Sequence, residues 1–129
     1  MKRINISSGA VWENIVGYSR AVRVGNIVKV AGTTAVEGGV IQFPNQPYEQ
    51  TILVLEKIEA ALKSAGATLS DVVCTRIYVC NIAEHLDDIG HAHWQFFGKI
   101  KPAATMVQIA ALIHPSLVVE IEAEAIIEG

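Results

Sequence analysis

Three carboxylates at every second position, Glu120, Glu122 and Glu124, are the densest acid–base chemistry in the chain. In an extended strand alternate residues share a face, so all three point one way while Leu117, Val119, Ile121 and Ala123 point the other. A carboxylate on a partly desolvated face can take a proton from water as that water adds to an electrophilic carbon, because burial moves its pKa toward the working pH. The plain alternative is a charged strand face with no chemical role, and composition alone favours it.

Arg76 is the next candidate. It shares its parity with Cys74, Tyr78 and Cys80, opposite Val73, Thr75, Ile77 and Val79. An arginine on such an apolar-flanked face is either an interface ion-pair partner or an anchor for a ligand carboxylate, which its planar fork can grip with two hydrogen bonds. Arg20 and Arg23 have opposite parity, so no more than one of them faces a cleft from a regular strand.

Other chemistries find no support. His91 and His93 lie two apart in a helical pattern and point about 200° from each other, so they cannot grip one ion. His93 falls on an apolar stripe as a core histidine, His85 and His91 fall on the solvated side, and His114 occupies a turn. Cys74 and Cys80, the only cysteines, are roughly 20 Å apart in a strand and are expected as reduced thiols. No serine has a nucleophile-elbow context, and Gly38-Gly39 lacks the spacing and lysine of a phosphate loop. The expectation is neither metal nor cofactor.

The elements that position these residues follow from periodicity. Residues 1–7 make a weak first strand; residues 17–24 and 27–31 form two strands around a Gly25-Asn26 turn. Residues 36–46 hold Gly38, Gly39 and Pro44 with no steady period and are expected as a loop. Pro47 opens a helix whose Tyr48, Ile52, Leu55, Ile58, Leu62 and Ala65 recur at helical steps, ended by Gly66. Residues 71–81 form a strand. Asn81 and Glu84 suggest a capped start for a second helix with Ile82, Leu86, Ile89, His93, Phe96 or Phe97, and Ile100 on its stripe. Residues 102–127 contain two alternating runs separated by Ile113-His114-Pro115-Ser116, a pattern that predicts a β-hairpin. The order is β-β-β-α-β-α-β-β: an α+β single domain over residues 1–129, with one sheet and both helices on one face.

At 129 residues, 51% of them apolar and 18% charged, the chain carries less charge than the usual ~25%. One sheet face would be bare in a monomer, so self-association is expected. A net charge of −3 gives no broad nucleic-acid footprint, no run reaches the ~18 apolar residues of a membrane span, and the first 14 residues lack the apolar core of a signal peptide. The expected location is cytoplasmic.

The run Pro102, Ala103, Thr105, Val107 and then Val119-Glu120-Ile121-Glu122-Ala123 resembles the closing segment of the Rid family, the reactive intermediate deaminases also called the YjgF family. The N-terminal GYSRAVRVGN and the following Ala31-Gly32-Thr33 also resemble that family, in the manner of a divergent branch. The resemblance, which covers nearly the whole chain, implies a chorismate-mutase-like fold and a homotrimer that packs its bare sheet faces around a central barrel, with clefts between subunits. It implies hydrolysis of an enamine, an imine or a related small metabolite, without metal or cofactor, with Glu120 holding or activating water and Tyr18 as the active-site tyrosine. Gly32, Thr33 and Met106 take substrate-binding positions. The family's carboxylate-binding arginine is replaced by Ala104, and Arg76 is the candidate substitute. A small-metabolite-binding protein that has lost the reaction is the alternative; endoribonuclease activity, as reported for some relatives, is a third reading that the acidic chain disfavours.

Overall fold

The computed structural model describes residues 1–128. Strands β1 (Arg3–Ile6), β2 (Ala21–Val24) and β3 (Ile27–Thr33) precede helix α1 (Pro47–Ser64); β6 (Val72–Val79), helix α2 (Ile82–Phe97), β7 (Ala103–Gln108) and β8 (Val119–Ile126) follow. The segment expected as a loop contains a small hairpin, β4 (Val36–Glu37) and β5 (Val40–Ile41). Gly38 and Gly39 form its two-residue turn, both at positive φ (57° and 77°), which is the conformation a twisted hairpin requires.

The main sheet has the order β1-β2-β3-β8-β6-β7. The predicted closing hairpin is therefore absent. β8 runs antiparallel to both β3 and β6, and β7 lies on the far side of β6, parallel to it. The strand period was right and the pairing was not. The sequence between the two runs allows a local reversal, but β6 supplies a partner for each of them, and the parallel β6–β7 connection is made by α2 as crossover.

Burial follows the register. Val28, Val30, Ile77, Val79, Val119, Ile121, Ala123 and Ala125 form the inner face of the sheet and meet Val54, Leu55, Ile58 and Leu62 of α1 with Ile89 and Phe97 of α2. Both helices cover that face. Gln50, fully buried in α1, donates to Phe43 O (3.0 Å) and Ser116 O (2.8 Å) and accepts from Val118 N (3.0 Å), tying the entry to α1 to the entry to β8. A buried amide tolerates burial only when its donors and acceptor are matched, and here they are.

Two expectations about α2 are corrected. Asn81 does precede the helix, but in the left-handed region (φ 55°) and with no side-chain cap. The free amide of Ile82 is met instead by Gln108 Oε1 at 3.0 Å, a cap supplied from β7. Leu86 is exposed, and Ala92 takes a place in the buried stripe. His93 is a core histidine as expected: its Nε2 lies 3.0 Å from Thr75 Oγ1, and its ring packs on Phe97.

Neither α1 nor α2 covers the outer face of the sheet. Val22, Lys29, Glu120, Glu122, Glu124, Arg76, Tyr78 and Val107 share it by register, and Ile27, Ile126 and Val107 stand exposed. Among the described residues no helix is long and apolar enough to cross a membrane.

Candidate functional site

The three β8 carboxylates are not equivalent. Tyr78 Oη donates to Glu122 Oε1 at 2.6 Å, and Arg76 Nη1 sits 3.2 Å from Glu124 and 3.7 Å from Glu122. Lys29 Nζ adds a contact to Glu124 at 3.4 Å. Hydrogen bonding to Arg76, and secondarily to Lys29, holds the Glu124 carboxyl below its ordinary range despite some desolvation. The hydrogen bond to Glu122 raises the Tyr78 phenol. Glu120, directly opposite Tyr78 in the register, has no hydrogen bond or ion pair with any described residue. Burial pushes its carboxyl up, Arg20 opposes that rise, and Glu122 adds to it. The alternation in sequence showed three like residues; the structure leaves one half-buried and unpartnered.

A bulge in β3 brings that carboxylate its neighbours. Val30 faces Ala123, whereas Thr33 faces Ile121, so Ala31 and Gly32 together oppose the single intervening position of β8. Bulges of this kind re-aim the chain locally, and a glycine inside a strand is their usual sequence mark. A Cβ added to Gly32 would overlap the Glu120 carboxylate. The Gly32 carbonyl turns toward Arg20, whose Nη2 donates to it at 2.7 Å. The Arg20 guanidinium lies 5.9 Å from the centre of the Tyr18 ring, within cation–π reach.

Tyr18 is delivered by a short turn, Glu13–Gly17, and its amide donates to Glu13 O at 3.0 Å. The Glu13 side chain is itself buried and accepts from the Ser8 amide and hydroxyl. Desolvation raises the Glu13 carboxyl, but hydrogen bonds from Ser8 and its neighbours outweigh that and hold it below its ordinary value. Behind the bulge Lys57 donates to Thr34 O (2.8 Å) and Val36 O (2.6 Å). Burial and then the Arg20 charge lower its pKa.

Glu120, Gly32 and Tyr18 of the expected site therefore meet around Arg20. The others do not join them. Thr33 is buried on the inner face and its hydroxyl donates to Ala31 O at 2.8 Å. Ala104 and Met106 pair with Thr75 and Ile77 and so share the helix-facing side of the sheet, opposite Glu120. Arg76 is on the Glu120 face but engaged by Glu122 and Glu124. His114 Nδ1 accepts from Ser116 N at 3.0 Å within its own turn. A depression of about 670 Å³ lies on the outer face, lined by Tyr18, Ala31, Lys29 and Glu122 among others; Glu120, Arg20 and Gly32 do not line it, and Tyr18 and Ala31 connect the two regions.

Arg20 was missed as a site residue. Parity limited the cleft to one of Arg20 and Arg23, and the structure assigns them: Arg23 turns inward to Gly25 O (2.9 Å) and to Ala65 O (2.8 Å) at the end of α1.

The family model for Endoribonuclease L-PSP matches residues 10–127. The chain also superposes on a crystal structure from Mycobacterium tuberculosis described as a member of the highly conserved YjgF/YER057c/UK114 family, with TM-score 0.89 and 49% identity over 98% of this chain and 100% of that one. The chain belongs to the Rid (YjgF) family. Other Rid relatives agree: a RutC family protein of Pyrococcus abyssi is 33% identical over 84% of each chain, and YyfA of Yersinia pestis, from the conserved Rid protein family, matches with TM-score 0.85 and 28% identity over 98% of this chain and 100% of that one. This Rid protein shares the chorismate-mutase-like α+β fold of those structures.

Proposed function

We propose that this Rid protein hydrolyses a small imine or enamine, with Glu120 as the base, in a cleft between the subunits of a homotrimer. The observation that carries the reading is the Glu120 carboxylate: half-buried, without a hydrogen-bond partner, raised by desolvation, and set beside Gly32 and Arg20. Such a carboxylate can take a proton from water as the oxygen bonds to the C=N carbon and pass that proton to the imine nitrogen, giving a neutral carbinolamine. Glu120 then takes the carbinolamine hydroxyl proton as the C=O bond forms and delivers it to the departing nitrogen as the C–N bond breaks, so one imine and one water become one carbonyl compound and one ammonia. No step requires a redox partner.

The experiment is ammonia release from imines generated in place by an amino-acid oxidase, with wild type against Glu120→Gln. General acid–base contributions are typically about 10²- to 10⁴-fold, so turnover should fall by that order. Unchanged release in the variant overturns the assignment.

A second reading, a small-metabolite binder without turnover, is favoured by one observation: Ala104 stands where the family's anchoring arginine would be. Ligand-induced thermal shift with no ammonia release from any imine would select it. The nuclease description carried by the matched family model is disfavoured by the net charge of −3 and by the ion-paired outer face.

A further inference from the structure

We propose that Arg20 is the anion-binding residue of this chain, taking the charged end of a substrate whose C=N carbon faces Glu120. The proposal rests on the imine-hydrolase reading for the second half of that sentence, and on Arg20 alone for the first.

Four observations support it. Arg20 has no carboxylate within 4.0 Å among the described residues, unlike Arg76, Lys29 and Lys63. Its guanidinium is nevertheless held, because Nη2 is fixed on Gly32 O at 2.7 Å and the Tyr18 ring lies 5.9 Å away. Its Nε is sealed from solvent with no partner, and its second terminal nitrogen makes no hydrogen bond among the described residues. A held but unsaturated guanidinium is preorganised for an external acceptor, since less freedom is lost when the ligand arrives. Lys57, bound through Thr34 O and Val36 O, adds a second cation behind the first. The two cations favour an anion there, opposed by Glu120 beside Arg20 and by Glu37 near Lys57.

The spacing selects the ligand class. Arg20 touches the Gly32 carbonyl and Glu120 occupies the side-chain space of the same residue, so the two groups are one residue's width apart. A short molecule in which a carboxylate or similar oxyanion lies within a few bonds of the C=N carbon spans them. Arg23 and Arg76 do not compete for it: Arg23 is occupied by two carbonyls on the inner side and Arg76 by Glu122 and Glu124.

Calorimetric titration with pyruvate, a small 2-oxo carboxylate, tests the anchor without requiring turnover. Wild type should bind it; Arg20→Gln should bind it about tenfold or more weakly, the loss of one charge-assisted contact; Arg20→Lys should recover part of the affinity; Arg76→Ala should keep it. Pyruvamide, which lacks the charge, should not distinguish wild type from Arg20→Gln. Thermal melts establish that each variant is folded, and Arg20→Lys serves where Arg20→Gln is not. No pyruvate binding by wild type, or equal binding by wild type and both Arg20 variants, overturns the proposal. Pyruvate binding that depends on Arg20 in a protein that releases no ammonia from imines leaves the anchor standing and removes the hydrolase. Hydrolysis with KM for anionic imines unchanged in Arg20→Gln does the reverse.

Discussion

Gly32 separates Arg20 from Glu120: its carbonyl accepts from Arg20 Nη2 at 2.7 Å, and the place of its missing side chain is taken by the Glu120 carboxylate. One bulged residue thus sets the distance between a cation just before β2 and a carboxylate on β8.

Gly32→Ala follows directly. The new methyl meets the far end of a flexible side chain, so the fold should survive with a melting temperature close to wild type while the carboxylate is displaced. Misplacing a reacting group by about 1 Å can cost on the order of 100-fold, and imine hydrolysis should fall toward that level. Full activity in a folded Gly32→Ala protein would show that Glu120 does not work from this position.

Glu120 also leaves a signature in stability. Its folded pKa is raised, first by burial, so the folded state favours the protonated form more than the unfolded chain does. The associated stability is complete below the ordinary carboxylate pKa and is lost as pH rises through the higher folded value. Glu120→Gln should therefore melt at or above wild type at neutral pH, with the gap closing below about pH 4. A variant less stable than wild type at pH 7 would contradict the burial cost.

His93 behaves oppositely. Burial lowers its pKa from the usual 6.5, so its contribution is present above that value and lost as pH falls through the folded one. Denaturant unfolding from pH 8 down to about pH 5 should show a steeper loss for wild type than for His93→Gln, which can still reach Thr75. Parallel curves would remove His93 as the cause.

The bare outer face predicts assembly. Light scattering should report three times the 13.9 kDa chain mass, and Val107→Lys, placed on that face of the edge strand β7 where Val107 is 42% exposed, should shift the population toward smaller species. A wild-type monomer at micromolar concentration would refute the trimer.

Most of the helices and strands were legible because each has an unbroken period: Leu55, Ile58 and Leu62 mark α1, and Val119, Ile121 and Ala123 mark β8. The parity of Glu120 was legible for the same reason. What could not be read was anything set by a distant partner. Whether residues 103–108 pair with 119–126 or with 72–79 depends on where the chain goes between them, and it is the pairing with 72–79 that sets Met106 and Ala104 on the side opposite Glu120. Arg20 remained one of two candidates because the bulge that turns Gly32 O toward it is a property of the β3–β8 pair. The contacts that distinguish Glu122 and Glu124 from Glu120 come from residues of β6 and β3 paired with β8, and alternation along one strand contains no record of them.

The sheet order has a consequence for how the molecule comes into being. β8, which follows every other strand in the chain, lies between β3 and β6. While the protein is being synthesised, β1–β3 on one side and β6–β7 on the other have emerged, yet nothing hydrogen-bonds one group to the other. Both groups present unpaired edges that can recruit other chains, and the long-range pairing that closes them is inherently slow. The nascent chain must be kept from aggregating until β8 has left the ribosome, and a stop before Val119 would leave two half-sheets with no strand to join them.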